Sequence, residues 1–175
     1  MSTDAIVLLK DDHKQIRKLF RDFENAGENA LKTKGRIVEA IIETLTVHTY
    51  LENECMYPEV RKRVPELEDD VLESYEEHHV ADVLCVELAA MKPDDERFDA
   101  KTTVLIENVS HHIEEEEDEW FPQVREALGR KELPGNRRPD AGDAQGRAAP
   151  ALAAERPQED DRRRPRLITP ADDAS

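Results

Sequence analysis

The chain carries six histidines, at positions 13, 48, 78, 79, 111 and 112, and two of them begin a pattern suited to holding a cation. His48 precedes Glu52 by four residues, and His112 precedes Glu116 by four. On a helix that separation turns about 40° and climbs one turn, so imidazole and carboxylate reach one ion from one face. The likeness extends further. His48-Thr-Tyr-Leu-Glu52-Asn-Glu-Cys-Met-Tyr57-Pro58-Glu-Val60-Arg61 aligns without a gap on His112-Ile-Glu-Glu-Glu116-Glu-Asp-Glu-Trp-Phe121-Pro122-Gln-Val124-Arg125, at a constant offset of 64. Both reduce to H-x-x-x-E-x-x-x-x-[YF]-P.

A second pair completes the repeat. Asp12-His13 is followed by Ile16, Leu19 and Phe23, and Glu77-His78 by Ala81, Leu84 and Leu88, at the same steps of three, six and ten after the histidine. Each half of the sequence thus supplies a lone histidine and then a His-x-x-x-Glu. Four imidazoles and two carboxylates would converge, a donor set that suits iron or manganese better than zinc. Two ions roughly 3.5–4 Å apart are the usual binuclear arrangement. One histidine on an apolar stripe is more often a satisfied core residue than a ligand. Four on four stripes, two paired with glutamate, reverse that preference, because unpaired carboxylates are costly to bury.

Two positions stay open. His78 and His79 lie about 100° apart on a helix; the apolar residues that follow favour His78, whereas Leu72 and Tyr75 before it fit His79. His111, with Glu115, could replace His112, though the repeat favours His112 with Glu116. The rest of the acidic run Glu114 to Glu119 reads as a solvated face.

The elements that must position these groups are helices. Ile6, Leu9, His13, Ile16, Phe20 and Phe23 recur at steps of three or four, up to a break at Ala26 to Ala30. A second helix runs from about Thr33 through Ile37, Ile41, Leu45, His48 and Glu52, until Pro58 kinks or ends it. Pro65 marks a turn. A third runs from about Asp69 to Met91, with Val71, Tyr75, Leu84 and Leu88 apolar. After Lys92-Pro93-Asp94-Asp95 a fourth runs from about Asp95 to Leu128 (Phe98, Val104, Leu105, Val109, His112, Glu116), with Gly129 as its cap. Short connections favour antiparallel neighbours, and the expectation is an all-α, up-down-up-down four-helix bundle.

Composition agrees with that class. Of 175 residues, 38% are hydrophobic, 38% charged and 5% aromatic, a balance poor in the residues a β-sandwich needs. Residues 130–175 hold six of the ten prolines and no aromatic residue, so two regions are expected: a bundle over 1–129 and a disordered tail over 130–175. Subtracting the tail's 10 basic and 9 acidic residues from the totals of 25 and 41 leaves residues 1–129 with 15 and 32, a balance of −17. Such acidity argues against a nucleic-acid partner held through phosphates. Cys55 and Cys85 form neither a C-x-x-C pair nor a disulfide framework and read as buried, reduced thiols. No signal peptide or membrane-spanning run of about 20 apolar residues is seen, which makes a cytoplasmic protein the expectation.

The ordered pattern H…HxxxE…H…HxxxE resembles the bacterial hemerythrin-like (HHE cation-binding) domain family, over about residues 3–129. The resemblance implies a four-helix bundle around a non-haem, carboxylate-bridged pair of iron ions, held by His13, His48, Glu52, His78, His112 and Glu116. It also implies a protein that binds or reacts with dioxygen, peroxide or nitric oxide, in sensing, oxidative-stress detoxification or iron homeostasis. Catalase-like or nitric-oxide-directed turnover is one reading; a passive iron buffer is the alternative. The chain departs from the oxygen-carrying hemerythrins, which have a His-x-x-x-His on the third helix and a His-x4-Asp on the fourth. Here residue 82 is Asp and residue 117 is Glu, so fewer imidazoles serve the centre, and sensing or oxidant chemistry fits better than oxygen carriage. Tyr57 is the candidate catalytic residue, as phenolate ligand or hydrogen-bond donor, with packing beside the proline as its other reading. A ferritin-like oxidase would need two Glu-x-x-His motifs, and the helices offer one, Glu76 to His79.

Overall fold

A computed structural model describes residues 4–129. The expected tail over 130–175 lies outside the described residues. The described elements are helical: α1 (Ala5–Glu24), α2 (Leu31–Leu51), α3 (Tyr57–Arg63), α4 (Glu68–Ala89), α5 (Phe98–Glu115) and α6 (Phe121–Leu128). Single π-helical turns, Glu52–Met56 and Glu116–Trp120, join α2 to α3 and α5 to α6. The path is therefore four long rods, two of them interrupted. α1 packs on α2, α2 on α4, α4 on α5, and α5 on α1, closing the four-helix bundle that the periodicity implies.

Local signals account for the ends. Asp4 caps α1 by accepting the Ile6 N–H at 3.1 Å, and its carboxylate also pairs with Arg125 of α6. Glu68, Asp69 and Asp70 crowd the first turn of α4, where carboxylates favour the positive end of the helix dipole. Gly129 (φ +71°) closes α6, its N–H donating to the Arg125 carbonyl. Some boundaries differ from expectation. α5 starts at Phe98 rather than near Asp95, because the Asp95 side chain accepts from the Arg97 N–H at 2.9 Å and holds a turn there. α2 starts at Leu31 and α4 stops at Ala89.

The prolines are accommodated rather than obeyed. Pro58 and Pro122 each lack an N–H, and each ring would press on the carbonyl four residues back. In both rods the chain widens by one residue, so that the Tyr57 N–H donates to the Glu52 carbonyl and the Phe121 N–H to that of Glu116. The helix then continues instead of ending at Pro58. The change also sets which side chains face inward: residues five apart sit about 140° apart on a regular helix, yet Glu52 and Tyr57 are both fully buried.

Two apolar cores stack along the bundle. One gathers Ile6, Leu9, Met56, Tyr57, Val60, Val71, Trp120, Phe121 and Val124; the other gathers Ile16, Phe20, Ile41, Leu45, Cys85, Leu88, Leu105 and Val109. In α1 and α4 the lone histidines, His13 and His78, fall between the members of one core and those of the other. The same holds for the histidine–glutamate pairs of the other two rods. A layer of ionisable groups is thus sealed above and below by hydrocarbon. Val104, read as part of the α5 stripe, is half-exposed; Thr102, Leu105, Ile106 and Val109 carry it.

Cys85 is buried as expected, whereas Cys55, in the first π turn, is half-buried. Burial, with Asp82 adding to it, pushes the Cys85 thiol up to about 12. An aromatic disulfide reagent is therefore expected to label one thiol per native chain and the second only after unfolding. Equal labelling rates for both would contradict this packing.

Candidate metal centre

Each rod delivers its groups to the central layer. His13 comes from α1 and His78 from α4; His48 lies in the last turn of α2, and Glu52 opens the first π turn; His112 lies in the last turn of α5, and Glu116 opens the second. All six are at most 5% exposed. His79 and His111 point outward, so the adjacent pairs divide one in and one out.

The carboxylates tie the helices together. Glu52 Oε2 lies 3.2 Å from His48 Nε2 and 3.4 Å from His78 Nε2. Glu116 Oε2 lies 3.3 Å from His13 Nε2 and 3.7 Å from His112 Nε2. The Nε2 atoms of His78 and His112 face one another at 3.0 Å. Two donor groups result, His13–His48–Glu52–Glu116 and Glu52–His78–His112, with Glu52 common to both. His13 Nε2, His48 Nε2, both oxygens of Glu52 and Glu116 Oε2 are buried without a hydrogen bond. So many orphaned donors converging in a sealed layer would be costly without a partner, and a cation is the partner that satisfies all of them.

Three of the four outer nitrogens are anchored. His13 Nδ1 meets Glu117 Oε1 at 2.8 Å, His78 Nδ1 meets Asn53 Oδ1 at 2.8 Å, and His112 Nδ1 meets Glu77 Oε2 at 2.6 Å. His48 Nδ1 is the exception: Asp12 Oδ2 stands 4.0 Å away and the nitrogen has no hydrogen bond. The three hydrogen-bonded partners fix their rings and tautomers and leave Nε2 free to ligate. Their roles were not read from the sequence, but their positions follow its repeat. The residue after each motif glutamate serves a lone histidine; of the residues before the lone histidines, Glu77 bonds the histidine of the neighbouring rod, whereas Asp12 only stands near His48. Glu117, which stands near where oxygen carriers place an aspartate, acts as such an anchor, itself held by Arg17 at 3.0 Å.

Burial and the mutual charges of these groups set the electrostatics of the layer. Burial pulls His48 well below the usual imidazole range, with His13 adding to it, and takes His78 to about 3. Burial and the Glu116 carboxylate push Glu52 well above the usual range. Burial would also raise Glu116, but His112 and His13 outweigh it and hold that carboxyl near 2. His112 is raised because Glu116 and Glu77 outweigh its burial.

Residues 4–124 match the Hemerythrin HHE cation binding domain. The chain belongs to that family. It is 27% identical over 124 residues to a DNA nickase of Nostoc sp. (strain PCC 7120 / SAG 25.82 / UTEX 2576), an alignment that covers 69% of this chain and 33% of that protein. The chain thus spans about a third of that relative's length. No solved structure matches. Among the described residues no helix is long and apolar enough to cross a membrane.

The hemerythrin-family bundle is symmetric in its packing and asymmetric at one hydroxyl. Phe121 stacks on His13 with ring centres 5.7 Å apart, and its repeat partner Tyr57 stacks on His78 at 5.6 Å. The Tyr57 hydroxyl additionally donates to Glu116 Oε1 at 3.1 Å. Burial, with Glu116 and Glu52 adding to it, pushes that phenol well above its usual value, which favours the hydrogen-bond donor over the phenolate. Tyr57→Phe is expected to keep full metal content while costing the metal-free protein about 1–2 kcal/mol for the lost bond. Loss of an ion in that variant, by elemental analysis, would instead make Tyr57 a ligand.

Proposed function

We propose that the bundle holds two iron ions, bridged by Glu52 and Glu116, and serves to bind or react with a small oxidant: dioxygen, peroxide or nitric oxide. The observation that supports this reading is that Oε2 of Glu52 and Oε2 of Glu116 each lie within 3.7 Å of imidazoles from two different rods, a placement suited to bridging. His13 and His48 would serve one ion, His78 and His112 the other. Imidazole mixed with carboxylate suits iron or manganese. When bound, such a pair supplies redox equivalents and coordination positions that six protein ligands leave open.

The chain's own residues then have definite tasks. Glu117, Asn53 and Glu77 hold the rings of His13, His78 and His112 in the ligating orientation, the apolar cores above and below exclude bulk water, and Tyr57 offers a proton-bearing hydroxyl beside Glu116. With no second histidine at position 82, the centre is less saturated than that of an oxygen carrier, which supports sensing or turnover over transport. DNA cleavage, named for the Nostoc relative, is not carried over, because residues 1–129 hold 32 acidic against 15 basic residues and would repel a phosphate backbone.

The test is to purify the protein, quantify iron per chain, and record the ultraviolet–visible spectrum before and after peroxide or nitric oxide. Two irons with charge-transfer bands that respond to the oxidant are expected. Zinc or no metal would sink the reading. Two irons whose spectrum ignores every oxidant would leave an iron buffer.

A further inference from the structure

Between α4 and the α5–α6 rod lies a cleft of about 390 Å³ whose floor includes His112, Glu116 and Trp120. Its walls carry Glu66, Asp70, Glu73, Glu77, Glu115 and Glu119, and no lysine or arginine lines it. Carboxylates alone would prove nothing, since exposed acidic faces are common. Here one lining group is different in kind: Glu116, 2% exposed, has a buried carboxylate oxygen, Oε2, without a hydrogen bond, and that oxygen belongs to the buried donor layer itself.

A second cluster stands beside the cleft. His111 and Glu115, one residue earlier than the buried pair, repeat the His-x-x-x-Glu spacing on the neighbouring face of α5, with His111 Nε2 3.3 Å from Glu115 Oε1. Glu77 joins them, the ligand atoms of all three lying within 4.8 Å of one another. The same Glu77 accepts from His112 Nδ1, so one carboxylate touches both the exposed cluster and the buried layer. The sequence His111-His112-Ile113-Glu114-Glu115-Glu116 thus writes the motif twice in adjacent registers, one turned inward and one outward.

Resting on the binuclear reading above, we propose that the acidic cleft is the route by which divalent cations reach the buried layer, and that Glu77, His111 and Glu115 form a third, weaker cation site at its edge, sharing Glu77 and Glu115 with its walls. The bundle is sealed by apolar packing at both ends of the layer, so a lateral path is the short one. A one-sign cleft concentrates cations and speeds their capture. An exposed two-carboxylate, one-imidazole site, still open to water, binds transiently enough to pass an ion on. Neutral oxidants are unaffected by this field, and anions are repelled by it.

The experiment uses the full chain stripped of metal and titrated with Co²⁺ under anaerobic conditions. Visible absorption follows the sites, and stopped-flow mixing follows the filling rate. The wild type is expected to take two tight equivalents and one weaker one. The double variant His111→Ala/Glu115→Gln changes side chains that are 66% and 51% exposed, so the fold is not at risk, and Glu77 is left in place to anchor His112. It should keep both tight equivalents, lose the weaker one, and fill about tenfold more slowly. Retention of the third equivalent, or filling at the wild-type rate, would overturn the proposal. A wild type with no tight pair at all overturns the binuclear reading, and the route with it.

Discussion

Glu52→Gln is expected to empty both halves of the centre, not one. Its Oε2 lies 3.2 Å from His48 Nε2 and 3.4 Å from His78 Nε2, and it belongs to both donor groups. An amide keeps the shape but supplies neither the charge nor the basicity that a bridging ligand needs. The loss of affinity should exceed the roughly 10–100-fold that changes in outer-shell partners cost. A substitution at a terminal ligand behaves differently: His13→Ala removes a donor of one group only and should spare the ion on His78 and His112. Stability separates ligand loss from misfolding. Both Glu52 carboxylate oxygens are buried without hydrogen bonds, so a neutral amide there is no worse for the empty bundle. The metal-free variant should melt at or above the metal-free wild type while binding neither ion. Retention of one full equivalent would show that Glu52 serves a single ion.

The identity of the buried carboxylates was legible in the sequence. The 64-residue repeat singled out Glu52 and Glu116, and helical spacing put each beside its histidine. What spacing could not decide was which of two adjacent histidines turns inward. Apolar neighbours stood on both sides of His78 and His79. The answer comes from tertiary partners, since Tyr57 stacks on His78 and Asn53 accepts from it, both from the other rod. The π turns escaped the sequence reading for a related reason. Pro58 signals only that a helix cannot continue unchanged; whether it ends or widens depends on what the next turn can bury. Here Tyr57, Val60, Phe121 and Val124 are each at most 1% exposed, and that burial holds the rod together past the proline. The outer anchors needed both facts at once, for Asn53 and Glu117 reach the opposite pair from within the widened turns.

Withdrawing the metal is the second change with a large expected effect. Without a cation the layer is squeezed from both sides of neutrality. His48 is depressed well below the usual imidazole value and His78 to about 3; their contribution to stability is complete above pH 6.5 and is lost as the pH falls toward those folded values. Glu116, held near 2, adds a loss between pH 4.5 and that value. Glu52 has the opposite sign: raised well above 4.5, it contributes fully below that pH and loses its contribution as the pH rises through its folded value. His112, raised above 6.5, follows Glu52 in sign. A cation relieves the ionised Glu52 but competes with protons for the imidazoles, so its stabilising effect is greatest near and above neutrality. Free metal at a thousandfold excess over its dissociation constant contributes about 4 kcal/mol, or about 10–20 °C in Tm for a domain of this size. Calorimetry of loaded and chelator-stripped protein from pH 5 to pH 8 should therefore show a gap that widens with pH. A gap absent throughout, or one that widens toward acid, would mean that the buried histidines and glutamates are satisfied by something other than a metal.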